Sequence, residues 1–378
     1  MDIVLVGAGG YGLYYVKELL HPRDPDVRWV GVVDPFYEHC AKKDEIDAAG
    51  IPVFETVEDF YRARQADLAV ISTPPFLHCE QSICALKHGS YVLCEKPIAP
   101  TVAEAERMLE AERKYGKFVA IGYQWSYSRA IQALKRDVLD GVLGKPLSMK
   151  TAISWPRNRA YYARGGGWAG RIEKDGITIL DSIASNACAH YLHNIFFLLG
   201  DTMDQSAYGT DLNAECFRAN AIENFDTCTI RMKAKGVPLY FIASHATSKK
   251  RNPEFCYVFE NATVTYSQDE GSRITAIFQN GTTKNYGDPF ADSLIKLWDC
   301  VEAIRTGRRP ICTVETALPH TELIERLYRE IPILDFPKAR VHLNPATDSV
   351  EVDGLFEALY AAYEKEILLS EASGGFFV

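Results

Sequence analysis

Glu95-Lys96-Pro97 places a carboxylate and an ammonium at the end of an apolar run. Tyr91 to Leu93 are apolar, Val92 is β-branched and Gly89 precedes them, so the run reads as a buried strand. Pro97 stops its ladder. Ligands of open α/β sheets bind beyond the carboxyl ends of the strands, so Lys96 is placed to meet one, with Glu95 beside it to hold the ammonium. The ordinary alternative is a surface ion pair after an edge strand. A second group, Gly7-Ala8-Gly9-Gly10-Tyr11-Gly12, has the spacing G-x-G-x-x-G. In that pattern Gly7 makes a tight turn, Gly9 lets backbone approach a pyrophosphate, and Gly12 lets a helix pack against a strand.

The flanking elements supply the context this motif needs. Asp2 to Val6 reads as a strand, the helix after the glycines runs to about Leu20, and a second strand from Val27 to Val33 ends at Asp34. The pyrophosphate of a dinucleotide would sit on the helix N-terminus. Asp34 can accept from ribose hydroxyls and would repel a 2′-phosphate, which favours NAD over NADP. Alternation continues through a helix over 35–49, a short strand at 52–54, a helix over 58–65 and a strand over 67–72 ending in Ser72-Thr73-Pro74. A helix over 76–88, the Lys96 strand, a helix opened by the capping box Thr101/Glu104 and a sixth strand over 118–121 complete it. This is a doubly wound parallel sheet. Thr73, Pro74 and Lys96 follow strand ends and belong on the cofactor's edge. For His78 a hydrogen bond at a helix N-terminus is preferred to catalysis.

The bulk numbers bound the rest. A chain of 378 residues with 47% apolar content suggests two domains with real cores. A net charge of −9 argues against a nucleic-acid surface. No apolar run is long enough to span a membrane, and a strand beginning at residue 3 leaves no room for a signal peptide. Ten cysteines without a C-x-x-C read as reduced core residues of a cytoplasmic protein.

The chain resembles the Gfo/Idh/MocA oxidoreductases over roughly its first 330 residues. The resemblance rests on Gly7–Gly12, on Ser72-Thr73-Pro74 with His78, on Glu95-Lys96-Pro97 and on Gly122-Tyr123-Gln124. It implies an NAD(P)-dependent enzyme acting on a sugar, polyol or similar hydroxyl compound. It also implies a C-terminal α+β domain with a large open antiparallel sheet. The expected cofactor-binding set is Gly7, Gly9, Gly10, Tyr11, Gly12, Asp34, Ser72, Thr73, Pro74, His78, Glu95, Lys96 and Gln124.

In the second half a long loop over 155–176 carries Trp155, Tyr161, Tyr162 and Trp168 with Arg157, Arg159, Arg164, Arg171 and Lys174. Aromatic faces and forked donors suit a sugar ring and its hydroxyls, or a carboxylate. Anchoring of the loop and pairing with surface acids are the alternatives. A helix over 179–199 would put Ser182, Asn186, His190 and His193 in one stripe. By the resemblance His190 falls on the family's D-x-x-x-H-x-x-D histidine. Asn186 and His193 fall on its two aspartates, and Asn186 can orient but not ionise. His190 and His193 lack a third ligand nearby, so no metal is expected. Candidates for substrate binding are Trp125, Tyr162, Arg164, Trp168, Lys174, Asn186 and His193. Lys96 and His190 are the expected catalytic pair, one taking the hydroxyl proton and the other polarising the oxygen.

The expected division is a Rossmann domain over 1–122, a substrate domain over 123–330 and an extension over 331–378 packed on it. Uninterrupted strands between 206 and 278 suggest an antiparallel sheet. An apolar end, Phe376-Phe377-Val378, suggests docking on the protein or on another subunit of a homo-oligomer, a dimer or tetramer. Two other functions remain open: a glycosidase using transient NAD oxidation, and a non-catalytic NAD-binding sensor, against which Lys96 and His190 argue.

Overall fold

The computed structural model describes residues 1–164 and 166–374. It divides the chain into two compact units, residues 1–127 with 292–318, and residues 128–291 with 319–378. Phe376, Phe377 and Val378 lie outside the described residues.

In the first unit six parallel strands, β1 (Asp2–Val6), β2 (Arg28–Val33), β3 (Val53–Phe54), β4 (Leu68–Ile71), β5 (Tyr91–Cys94) and β6 (Val119–Ile121), form one sheet in the order β3-β2-β1-β4-β5-β6. The order reverses between β1 and β4, where such sheets open a crevice at their carboxyl edge. The residues just past the strand ends are tied across that edge by backbone bonds. Gly7 donates to Val33, Ser72 to Val6, Glu95 to Ile71 and Gly122 to Cys94, at 2.7–2.8 Å. Gly7, Ser72, Glu95 and Gly122 therefore stand in one row.

The helix Ile295–Thr306 completes this unit from far along the chain. Its Leu297, Cys300, Val301 and Ala303 join one buried cluster with Ile3, Leu5, Val70, Leu93 and Ala120. Residues 292–318 thus belong with the dinucleotide-type sheet, whereas the sequence placed them in the second domain. Their apolar spacing announces a buried helix but not which sheet buries it.

The second unit is built on a nine-stranded sheet. In chain order its strands are β7 (Pro146–Ser154), then, after a two-residue hairpin pair β8 (Glu173–Lys174) and β9 (Ile177–Thr178), β10 (Gly209–Arg218), β11 (Thr227–Ala234), β12 (Val237–Ser244) and β13 (Arg251–Phe259). β14 (Ala262–Ser267), β15 (Ile274–Phe278), β16 (Thr283–Gly287) and β17 (Ile333–Asp335) complete it. The spatial order is β16-β15-β14-β13-β7-β12-β11-β10-β17. The sheet is open and mostly antiparallel, as expected, but β7 pairs with β12 and β10 with β17 in parallel, so it is mixed. β12 is buried along nearly its whole length. Alternate side chains face opposite ways: Leu239 and Phe241 line a small cavity with Leu192, Ile195 and Phe196, and Tyr240 and Ile242 belong to a buried cluster with Leu355, Leu359 and Tyr363 of the C-terminal segment. That segment adds the hairpin β18 (Val341–Asn344) and β19 (Ser349–Val352) and the helix Leu355–Lys365.

Candidate functional site

The glycine turn in the first unit has the shape a dinucleotide needs. Gly7 has φ +87°, and a Cβ there would lie 2.8 Å from the Ser72 carbonyl oxygen. A Cβ on Gly12 would lie 2.1 Å from the Gly7 carbonyl oxygen. At Gly9 and Gly10 no atom comes within 4 Å of that position, so the turn opens outward. The helix that follows, Gly12–Leu20, has no side-chain cap at its start. Asp34 at the end of β2 accepts from the Ala8 and Phe36 backbone N–H groups, each at 2.9 Å, which fixes the carboxylate beside the turn. An open glycine cradle with a fixed acid at the neighbouring strand end fits a dinucleotide with a free ribose diol.

Other expected cofactor residues take different parts. The Tyr11 hydroxyl donates to Gln124 Oε1 at 3.0 Å, and the Thr73 hydroxyl to Gln81 at 2.6 Å. His78 is wholly buried, with its ring nitrogens 2.9 Å from the Pro97 and Thr73 carbonyl oxygens. Burial pushes its pKa down, so the neutral ring donates to one of these at a time. His78 ties the segments after β4 and β5 together from behind. Trp125 is also buried, in the short helix Gln124–Tyr127, and presents no surface for substrate.

Glu95 has partners that the sequence does not suggest. Its carboxylate accepts from the Tyr15 hydroxyl at 2.6 Å, from the ammonium of Lys296 and from the Lys96 backbone N–H at 3.3 Å. Lys296 lies on the returning helix, is wholly buried, and also donates to the Gly122 carbonyl at 3.2 Å. A Cβ on Gly122 would come 2.9 Å from the Glu95 carboxylate, so glycine there makes room for the pair. Lys96, half-buried, follows at once and joins Pro97 through a cis peptide bond.

In the second unit the expected helix over 179–199 is two pieces. Leu180 has φ +50°, which no helix tolerates, and Ser182 caps a wide turn over Ile183–Ala187 of the π type. Cys188 interrupts before the regular helix Ala189–Leu198. A wide turn changes the angular step, so the single stripe of Ser182, Asn186, His190 and His193 does not form. His190 is half-buried in the first turn of the second piece. His193 is wholly buried and stacks on Phe197. Burial first, then His320 and Lys135, push its pKa well down, making it a neutral core residue and not a substrate ligand. The Asn186 amide donates to Asp181 at 2.8 Å, and the other Asp181 oxygen accepts from Gly170 N–H at 2.8 Å. The Asn186 amide thus rests on a buried carboxylate, that of Asp181, which the sequence reading did not single out.

The loop after β7 contains a helical turn, Arg159–Ala163, capped by Asn158, and the β8–β9 hairpin. Lys174 donates to the Gly166 carbonyl at 2.6 Å, a bond that closes the loop on itself. The Arg164 guanidinium carbon stands 3.5 Å from the Tyr161 ring centre and 5.5 Å from that of Trp168. Tyr162 bonds the Nδ1 of His245 at 3.0 Å. His245, just past β12, was not singled out from the sequence; a histidine closing an apolar strand carries no local sign of its surroundings.

An open parallel sheet with a glycine turn and a strand-end acid defines a dinucleotide-binding protein of the Rossmann class. Residues 1–123 match the Gfo/Idh/MocA family model, described as an oxidoreductase family with an NAD-binding Rossmann fold. The inositol 2-dehydrogenase of Rubrobacter xylanophilus is 34% identical over 155 residues, 41% of this chain and 43% of that protein. The rhizopine catabolism protein MocA of Rhizobium meliloti is 28% identical over 166 residues, 43% of this chain and 50% of that protein. The matches span half or less of these relatives' lengths. The crystal structure of the WlbA dehydrogenase of Chromobacterium violaceum, in complex with NADH and UDP-GlcNAcA, shares the fold with a TM-score of 0.72 at 21% identity, over 87% of this chain and 93% of that one. Among the described residues no helix is long and apolar enough to cross a membrane.

Proposed function

We propose that the protein is an NAD-dependent oxidoreductase that transfers a hydride between the nicotinamide and a hydroxyl-bearing carbon of a sugar, polyol or related compound. The position of Lys96 carries this reading: it directly follows Glu95, which stands in the row past the strand ends that also holds Gly7 and Ser72. The names of the relatives support a polyol or sugar as substrate. Bound nicotinamide supplies the hydride acceptor. The Gly7–Gly12 turn binds the pyrophosphate and Asp34 orients the ribose. Lys96 holds the hydroxyl proton as a general acid–base group. His190 is the second group assigned to that proton. We place the working protein in the cytoplasm, a reading supported by its ten free cysteines, and take it to be a homo-oligomer. The test is purified protein with NAD against sugars, polyols, sugar acids and glycosides, following NADH absorbance. NADH formation with at least one hydroxyl compound is expected; none with any of them, despite NAD binding, would favour a sensor.

A further inference from the structure

The loop after β7 treats its arginines in two ways. Arg159 pairs with Asp348, and Arg171 with Glu223. Among the described residues Arg157 and Arg164 have no carboxylate at ion-pair distance. Both guanidiniums lie over the Tyr161 ring, 4.7 and 3.5 Å from its centre; Arg164 also donates one N–H to the Tyr161 carbonyl at 2.7 Å, and Arg157 lies 5.3 Å from the Trp155 ring centre. Backbone bonds hold the place: Trp155 donates to Ser244 and Arg157 to the His245 carbonyl, continuing the parallel β7–β12 pairing. In a chain of net charge −9, two partly buried cations without acids are a built feature and not a solvated face.

His245 completes the cluster. Burial, then the charges of Arg157 and Arg164, push its pKa well down, so the ring is neutral. Burial likewise pushes the Tyr162 phenol up, so it keeps its proton, and its hydroxyl shares a hydrogen bond with Nδ1 of His245 in which either group can donate. The other ring nitrogen, Nε2, is buried and has no hydrogen-bond partner; Nε of Arg157 is also buried without one. Orphaned buried polar atoms are costly. The nearby acids are committed elsewhere: Asp181 to Gly170 and Asn186, Asp226 to the backbone and side chain of Asn220.

We propose that Arg157, Arg164 and the buried Nε2 of His245, in the tautomer that carries its hydrogen there, form a binding site for a carboxylate on the substrate, so that the preferred substrates are sugar acids or other hydroxy acids and not neutral polyols. Planar forks backed by aromatic rings match a planar carboxylate. The proposal rests on the oxidoreductase reading only in calling the ligand a substrate.

Binding and turnover test it separately. Calorimetry of the full chain with glucuronate and with glucose should show the acid binding at least tenfold tighter. Arg157→Gln and Arg164→Gln should each remove most of that difference, while Arg157→Lys, which keeps charge without the fork, should restore part of it. With NAD, kcat/KM for glucuronate or gluconate should exceed that of the neutral sugar at least tenfold, and Arg157→Gln should shrink the ratio mainly through KM. A ratio taken on one sample does not depend on how much of a variant is folded. Equal binding of acid and neutral sugar, a ratio untouched by both glutamine variants, or a preference for glucose 6-phosphate over glucuronate would overturn the proposal. Acid binding lost in Arg157→Gln without any turnover would keep the site and remove the oxidoreductase reading. Turnover of neutral polyols with no acid preference would do the reverse.

Discussion

Oε1 of Glu95 accepts from both the Tyr15 hydroxyl and the ammonium of Lys296, a residue 201 positions later. Lys296 has no exposed surface, and burial pushes its pKa down. Removing one member of a buried pair strands the other's charge, which costs about 3–5 kcal/mol. Lys296→Met should lose about that much stability in urea denaturation, and Glu95→Gln added to it should recover part of the loss. A single-variant loss near zero would show that the pair contributes nothing to holding the returning helix.

The glycine turn separates packing from binding. Gly12→Ala drives a methyl into the Gly7 carbonyl and should lower both the melting temperature and NAD affinity. Gly9→Ala meets no protein atom, so it should leave melting nearly unchanged while weakening NAD binding. Equal effects of both on melting would contradict an outward-opening turn.

Asp34 should set cofactor choice. NAD should bind at least tenfold tighter than NADP by calorimetry, a difference of about 1.4 kcal/mol. Asp34→Ala should narrow that gap.

For Lys96 the expectation is a split. Lys96→Ala should cut kcat far more than NAD affinity, because its work is in the transition state. Near wild-type turnover in that variant would reduce Lys96 to a structural residue.

Glu112 gives a pH signature. Burial pushes its carboxyl from an ordinary 4.5 up to about 7, although it accepts a bond from the Val119 N–H. The folded form therefore holds the proton more tightly than the unfolded chain. That contribution is full below pH 4.5 and is lost as pH rises through about 7. Between about pH 5 and 7 the wild type should lose stability relative to Glu112→Gln, on the order of 1 kcal/mol after allowing for partial exposure. Parallel stability profiles across that range would remove Glu112 as the cause.

What could be read in the chain was what is encoded locally. The strand, glycine turn and helix at residues 2–20 and the Thr101/Glu104 capping box lie within a few residues of themselves, and the structure has both. The Glu95–Lys296 pair has no local mark, so Lys296 could not be read as a partner of Glu95. The stripe through Asn186 and His193 assumed a constant 100° step, which Leu180 and the wide turn after it break. The Arg157–Arg164–His245 cluster unites a loop with the end of a strand far along the chain. The loop's chemistry could be suspected from composition, but not its third member.

The return of residues 292–318 to the first unit sets a timetable for synthesis. When Glu95 is added to the chain, its counter-ion is still 201 residues from being made. At about 5–20 residues per second, that is a wait of roughly 10–40 s. Until then the first sheet lacks the helix that closes one face, and Glu95 lacks its cation. Strands β7 to β16 of the second unit's sheet are made within this interval as an insertion, and only β17 follows. The nascent dinucleotide fold is thus exposed longest at the stage when its own strands are already complete.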